Sequence, residues 1–379
     1  MDLSHTAEQL ALRESAARFL RDRYSFETRR RIEASAEGFD AEIWRAFADL
    51  GWLALPFPAD DGGLDGGAID LALLMETFGA ALVMEPYVSS VVLCGGLIAA
   101  AGSGGQRAEL IAEILAGRLV LAFAHHEPAA RHEYGRVGTS AVRMGNGWRL
   151  DGQKSIVLDA PMADRFLVTA QVGEDGGTAA LGLFLVAKQA PGMNVTEYRI
   201  VDGRRAGSIV LDGVIVGAEA KLGGGQDRAE TIAAVTDRAV VALAADTIGA
   251  MQVLLDKTIA HTKTRVQFGQ PLAANQVLKH RMVNMAVRIE EARSIAMKAA
   301  IRADDGSGAA VRGQAVSAAK VKVAAAARFV AEQAVQLHGA MGVTDELDIG
   351  AYFRRIMAFE ASYGTPAWHL KRYAALRDV

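Results

Sequence analysis

From about residue 226 onward the chain runs in long stretches almost free of helix breakers. "DRAVVALAADTIGAMQVLLDKTIAHTKTR" and "VSAAKVKVAAAARFVAEQAVQLHG" are the clearest of them. Alanine and unbranched side chains cost least in a helix, so segments of this length predict long helices. Packed side by side, such helices suit a four-helix bundle spanning 226–379. So many small residues also allow backbones to approach closely, including across a subunit interface. The apolar run at 239–255 is interrupted by Asp246 and Gln252, which argues against a membrane span.

The texture before residue 226 is different. Between 117 and 225, "LVLAFAHHE", "AVRMGNGWRLDGQKSIVL", "RFLVTAQV", "ALGLFLVAK" and "GSIVLDGVIVG" are short Val-, Leu-, Ile- and Phe-rich runs separated by Gly and Asp. These read as strands, and Gly-Asn-Gly between two of them marks a hairpin. A compact antiparallel barrel or sandwich is predicted here. Residues 1–116 read as helices again. Leu10, Leu12, Ala17, Phe19 and Leu20 recur near helical spacing, with Ser4 or Thr6 available as a cap. The loop "PFPADDGGLDGG" stops that pattern, and "AIDLALLMETFGAAL" resumes it. The fold class is therefore α+β, with a helical region at 1–116, a β region at 117–225 and a helical bundle at 226–379.

A net charge of −3 gives no reason to expect nucleic acid or an anionic membrane as partner. The single cysteine, Cys94, excludes an internal disulfide, and its apolar surroundings predict a small core residue in a reducing, cytoplasmic setting. The opening "MDLSHTAEQL" is too acidic and polar for a signal peptide. No phosphate-binding P-loop, nucleophile elbow, zinc-binding His-Glu-x-x-His helix or Cys-x-x-Cys pair is present. "GGGQ" at 223–226 reads as a linker. His125 and His126, if on a strand, point to opposite faces and do not converge on one metal, so no metal site is expected.

Two stretches in the C-terminal third stand out. "TRVQFGQP" (264–271) breaks a helical pattern with Phe-Gly-x-Pro, which predicts a turn between two antiparallel helices. There Arg265 beside an exposed aromatic suits a phosphate and a ring, because guanidinium matches phosphate geometry. An ordinary helical hairpin with an apolar plug is the other reading. "AVQLHGAMGVTDELDIGAYFRR" (334–355) predicts a helix ending at Gly339 and another starting near Thr344 and Asp345. Gly339 and Gly342 would let backbone approach a ligand closely.

Together these two stretches resemble the C-terminal domain of the acyl-CoA dehydrogenase family. "LGWLALPFPADDGGLDGGAIDLALLMETFG" is similar to its first helical domain, and "GWRLDGQKSIVLDAPMADRFLV" to its middle strand domain. The resemblance runs in matching order over nearly the whole chain. It implies helical, β and helical domains, FAD as cofactor, and an assembly of two or four chains. It also implies that each flavin lies between two subunits. One side is built by a β domain, and the neighbouring chain contributes an Arg, a Phe and a Gln-x-x-Gly-x-x-Gly loop.

On that resemblance the neighbour's half is complete: Arg265, Phe268, Gln276 and the loop Gln336-Leu337-His338-Gly339-Ala340 stand at its positions, and Gln267 and Thr365 are further cofactor-binding candidates. The β half is reduced. The family's Thr-Glu-Pro-Gly-x-Gly-Ser appears as "HHEPAARHE", keeping Glu127 and Pro128. Its Lys-x-Trp-x-Thr appears as "KSIVL", with Ile156 and Leu158 in place of the aromatic and the hydroxyl.

The family's catalytic Glu, aligned from Gln336 and Arg354-Arg355, falls on Tyr363 in "YGT". Phenols titrate near 10 and are poor bases at neutral pH. Glu360, three residues away, reads as structural. Some members place the base on the first helix of the C-terminal domain. Asp237 in "TDRAVV" is the candidate base there, two residues out of register. A helix-start role is the alternative, with Thr236 as cap and Asp237 in the first turn.

The resemblance thus implies α,β-dehydrogenation of an acyl-CoA thioester, with an electron-transferring flavoprotein as acceptor. The chain is similar to the small subunit of pimeloyl-CoA dehydrogenase-type heteromers (α2β2), in which two related chains share flavin sites. The alternatives are a homotetrameric acyl-CoA dehydrogenase using Asp237, a flavin-free scaffold, and a flavin monooxygenase of the same fold.

Overall fold

The computed structural model describes residues 4–130, 132–173, 180–224 and 226–377. Arg131, in the stretch carrying Glu127, and the expected domain boundary at Gly225 lie outside them. The chain divides into two compact units. One comprises residues 1–31, 67–83 and 240–379; the other comprises 32–66 and 84–239.

The N-terminal helices are α1 (Ala7–Arg23), α2 (Phe26–Ala34), α3 (Ala41–Asp49), α4 (Ala68–Ala81), α5 (Gly96–Ala101) and α6 (Gly104–Leu115). Thr6, rather than Ser4, caps α1 in a reciprocal box with Gln9. A nine-residue π-helix, Tyr87–Gly95, precedes α5 and buries Cys94 completely. The run read as uniformly helical is thus underwound in one place, with Tyr87 Oη donating to Trp52 O at 2.8 Å.

Seven strands form one curled sheet: β1 (Leu121–Ala124), β2 (Ser140–Met144), β3 (Gly147–Leu158), β4 (Arg165–Val172), β5 (Ala180–Ala187), β6 (Met193–Arg199) and β7 (Arg205–Gly217). The predicted hairpin is present, with Met144 paired to Gly147 across Gly145-Asn146. Gly145 takes φ 56°, the left-handed conformation that a two-residue turn requires. The expectation of an antiparallel sheet needs correction, because β4 runs parallel to both β1 and β2. β1 and β2 meet the same edge of β4 end to end, and their chain directions force those pairings. The inner face holds Trp148, Leu150, Phe166, Val168, Phe184 and Ile209.

The C-terminal helices are α7 (Ala229–Thr264), α8 (Gln276–Asp304), α9 (Gly308–His338), α10 (Ile349–Ala361) and α11 (Pro366–Ala375). Between α7 and α8 lies a small hairpin of β8 (Val266–Gln267) and β9 (Gln270–Pro271). Among the described residues α7 alone is long and apolar enough to cross a membrane, and its apolar window is mostly buried within the fold. Glycine governs how α4 lies on α7. A Cβ on Gly79 would sit 1.7 Å from Asp246 O, and one on Gly249 would sit 1.9 Å from Glu76 O. Each glycine meets the other helix's backbone, so the side chain of any other residue would push the helices apart. Asp246 also accepts both Nε (3.0 Å) and Nη2 (2.7 Å) of Arg355 from α10 in a buried, bidentate pair. Removing one partner of such a pair strands the other charge, at a cost of about 3–5 kcal/mol.

Two expectations for this region change. α7 starts at Ala229, so Thr236 and Asp237 lie two turns inside it, and neither caps its start. Both are fully buried. The sequence offered Thr-Asp as a start signal, but the helix continues backward through "RAETIAAV", which contains no breaker. The helix after Gly339 starts at Ile349 rather than near Thr344. Residues 339–343 form a 3-10 turn, and Thr344 Oγ1 donates back to Met341 O at 3.0 Å.

Candidate active site

The residues matched to the neighbour's half come together at one end of the helical unit. Arg265 closes α7, with its N–H donating to His261 O at 2.8 Å. Phe268 and Gly269 form the hairpin tip with φ 53° and 79°. Phe268 is 100% exposed, a rare condition for a large aromatic in a left-handed turn. Gln267 is exposed, and its amide donates to Val266 O. Gln276 opens α8 with its side chain exposed. Arg265 is exposed too, and among the described residues no carboxylate is ion-paired with it. Leu337 and His338 are buried at the end of α9, while Gln336, Gly339 and Ala340 are exposed. Gly339 takes φ 62°, and a Cβ there would meet nothing within 4 Å. An unpaired guanidinium, an exposed ring and an open glycine end are what a dinucleotide's phosphates and planar groups need.

Tyr363 and Thr365 belong to a separate turn between α10 and α11. Thr365 Oγ1 accepts from Trp368 N and caps α11, so its hydroxyl is used inside the chain. Tyr363 sits at φ 51° and packs on Ala68, Val240, Val241, Ala299, Val316 and Ala319. Its side chain thus rests against an apolar cluster, while its carbonyl meets His369.

Three buried groups that sequence reasoning missed hold that turn. Lys320 of α9 donates to Phe359 O and, at 2.8 Å, to Ser362 O, the last carbonyls of α10. Its ammonium lies 3.8 Å from the Phe359 ring centroid. Burial draws the Lys320 pKa down to about 7, against the opposing pull of Glu360. His369 Nε2 lies 3.0 Å from Tyr363 O and its Nδ1 3.1 Å from Ser317 Oγ. The only available signal was Lys320 itself, a lysine within an otherwise apolar helix face. Glu360 pairs with Arg328 at 2.6 Å, as a structural side chain would.

In the β unit, Glu127 and Lys154 make a buried ion pair at 2.6 Å. Glu127 also accepts from Gly138 N, Thr139 N and Thr139 Oγ1, and Lys154 Nζ donates to Thr169 Oγ1 at 3.1 Å. Burial would raise the Glu127 pKa, but the Lys154 charge and these hydrogen bonds hold it below the usual range. Burial brings Lys154 down to about 8 despite its partner. His125 Nδ1 meets Thr169 Oγ1 and His126 Nδ1 meets Ser155 Oγ, each at 3.0 Å. Desolvation, reinforced by Lys154, lowers His125 to about 3. Among the described residues no three His, Cys, Asp or Glu converge as a metal site.

The "KSIVL" segment carries a bulge in the pairing of β3 with β7, between Lys154 and Val157. There Ile156 takes φ 52° and is 54% exposed, while its N–H donates to Tyr198 Oη at 3.1 Å. Ser155 N donates to His126 O at 2.9 Å. A β-branched residue in left-handed geometry is strained, and bulges of this kind concentrate at functional edges. In this chain the donors at the bulge are taken up internally, and the presented side chain is aliphatic.

Models of the acyl-CoA dehydrogenase N-terminal, middle and C-terminal domains match residues 6–118, 122–214 and 231–375. The acyl-CoA dehydrogenase FadE12 of Mycobacterium tuberculosis is 31% identical over 82% of this chain and 81% of its own. This chain belongs to the acyl-CoA dehydrogenase family. The caffeyl-CoA reductase-Etf complex subunit CarC of Acetobacterium woodii is 28% identical, with 88% of each chain covered. Among solved structures, the ChsE4-ChsE5 complex from Mycobacterium tuberculosis superposes with a TM-score of 0.89 at 26% identity, over 100% of this chain and 99% of that one.

Proposed function

We propose that this chain is a supporting subunit of a heteromeric, FAD-dependent acyl-CoA dehydrogenase, lending one half of a flavin site to a related partner. The observation that carries this reading is the hairpin tip, where fully exposed Phe268 stands beside unpaired Arg265. Among the described residues no hydrogen bond or ion pair of the Arg265 side chain is present, and Phe268 is fully exposed. Arg265, Gln267, Phe268, Gln276 and the loop from Gln336 through Ala340 would hold the dinucleotide. Arg265 would offset pyrophosphate charge while Phe268 covers a planar group. When bound, the flavin supplies the hydride acceptor for oxidation between the α and β carbons.

The chain's own β half fits a ring poorly. Ile156 and Leu158 offer no stacking surface and no hydroxyl, and the Ile156 N–H is bonded to Tyr198. Tyr363, at the position matching the family's Glu, is packed on apolar side chains. In this reading the proton acceptor is a carboxylate of the partner. The partner is a homologous chain, as the two-protein ChsE4-ChsE5 assembly suggests by analogy. In this reading an electron-transferring flavoprotein is the electron acceptor; CarC is likewise named as a subunit of a complex with an Etf. The three regions 1–116, 117–225 and 226–379 are assigned as its domains on the same footing.

A second reading has one observation in its favour. Asp237 is a fully buried carboxylate inside α7, and the helix-start role that competed for it is gone. In that reading the chain is a homotetramer with Asp237 as base. Expression alone and with its homologous partner, followed by flavin absorbance and mass, separates the two. A chain that is colourless alone and yellow with its partner, with flavin reduction by acyl-CoA intact in Asp237→Asn, agrees with the supporting role. A yellow homotetramer whose flavin reduction slows by about 10²–10⁴-fold in Asp237→Asn overturns it.

A further inference from the structure

His261 and His338 come from different helices, yet their rings stack at 4.4 Å with 28° between planes. His338 is the last residue of α9, directly before the open glycine end, and is 7% exposed. Its Nδ1 lies 2.8 Å from Ala334 O, so Nδ1 carries the proton and donates. The nitrogen free to change protonation is therefore Nε2. His261 lies one turn before Arg265, whose N–H reaches back to its carbonyl. Two imidazoles and a guanidinium thus share one corner of the helical unit.

The arrangement resists charge while the corner is empty of anions. Burial first, then the positive potential of His338 and Arg265, hold His261 below the ordinary histidine pKa. Other charges on the neighbouring elements are already engaged. Lys257, one turn earlier on α7, is paired with Asp348 at the start of α10 at 2.9 Å, and Arg281 of α8 donates to Gln333 of α9. Among the described residues no carboxylate is ion-paired with either imidazole. A phosphate arriving beside Arg265 reverses the sign of the local potential, and a cationic imidazole becomes favoured.

We propose that His261 and His338 form, with Arg265, a proton-linked phosphate cluster, so that a pyrophosphate-bearing ligand binds with uptake of a proton by the stacked pair. The inference rests on the half-site reading above, which names FAD as that ligand. Linkage gives the sign. His261 titrates below the ordinary histidine value in the free protein and is favoured as a cation beside a phosphate, so the complex holds more protons over that interval. FAD affinity is then greatest below the free pKa and falls as pH rises towards the bound pKa, by up to about tenfold per pH unit.

The test uses the flavin-depleted assembly titrated with FAD by calorimetry, in phosphate-free buffers of different ionisation enthalpy. Proton uptake near neutral pH is expected. The imidazole Cε1–H resonances of the pair should shift to higher pKa in the complex. His261→Gln should flatten the pH dependence and abolish the uptake while FAD still binds. His261 is half-buried, so this variant is gentler on the fold than one at His338. Arg265→Ala should weaken FAD by about ten- to a hundredfold at every pH. Unchanged affinity in Arg265→Ala defeats the half-site reading. The expected loss in Arg265→Ala, with no proton uptake in the parent or with uptake that survives His261→Gln, overturns the histidine inference alone.

Discussion

Replacing Phe268 with alanine separates a contact made between chains from one made within a chain. The side chain is 100% exposed, so its removal takes no apolar surface from this chain's own core. Alanine occupies the same left-handed φ of 53° at similar cost, and the hairpin survives the change. Stability of the isolated chain should therefore stay within about 0.5 kcal/mol of the parent. Burying a phenylalanine side chain completely is worth roughly 1.5–3 kcal/mol. If Phe268 is covered by a partner's flavin site, that sum appears as an affinity loss of about 10- to 150-fold. Denaturant unfolding of the chain alone gives the first quantity. Flavin retained through gel filtration of the assembly, with a fluorescence titration of the flavin-depleted form, gives the second. A variant that keeps parental flavin affinity and assembly mass refutes the reasoning, as does one that unfolds the isolated chain.

Lys320 and Glu360 make two further tests. The Lys320 pKa falls from an ordinary lysine value to about 7 in the fold, so between about pH 7 and 10 the unfolded chain binds more protons. Stability from this group therefore rises with pH, by about 1.4 kcal/mol per unit over that window, and is flat below it. Lys320→Met removes the term, so the parent's unfolding free energy should gain on the variant above pH 7; parallel curves across pH 6–9.5 would contradict the buried-ammonium reading. Glu360→Gln breaks a partly exposed pair with Arg328 and should cost about 1 kcal/mol or less, leaving turnover within a few-fold. A loss of flavin reduction by orders of magnitude with an intact fold would instead make Glu360 the base.

Much of this molecule follows from local rules. Long helices in the last third follow from alanine-rich stretches with little Gly and no Pro. The β2–β3 hairpin follows from Gly-Asn-Gly, and the end of α9 from Gly339, because these signals act through the backbone of a few adjacent residues. The hairpin bearing Phe268 was legible for the same reason.

What the sequence could not show depends on partners distant along the chain. Thr236-Asp237 looked like a helix start because capping is a local signal, yet both residues are buried two turns inside α7. The sheet looked antiparallel because strand patterning records which side chains face the core, not which neighbour a strand pairs with. The parallel pairings of β4 depend on β1 and β2 meeting the same edge from remote positions. Lys320, an ordinary surface type by composition, becomes a buried clamp because two carbonyls 39 and 42 residues later point at it. The His261 and His338 rings stack only because α7 and α9 end side by side. Local chemistry is written residue by residue, whereas burial and charge coupling are set by which remote segments the tertiary fold brings within a few ångströms.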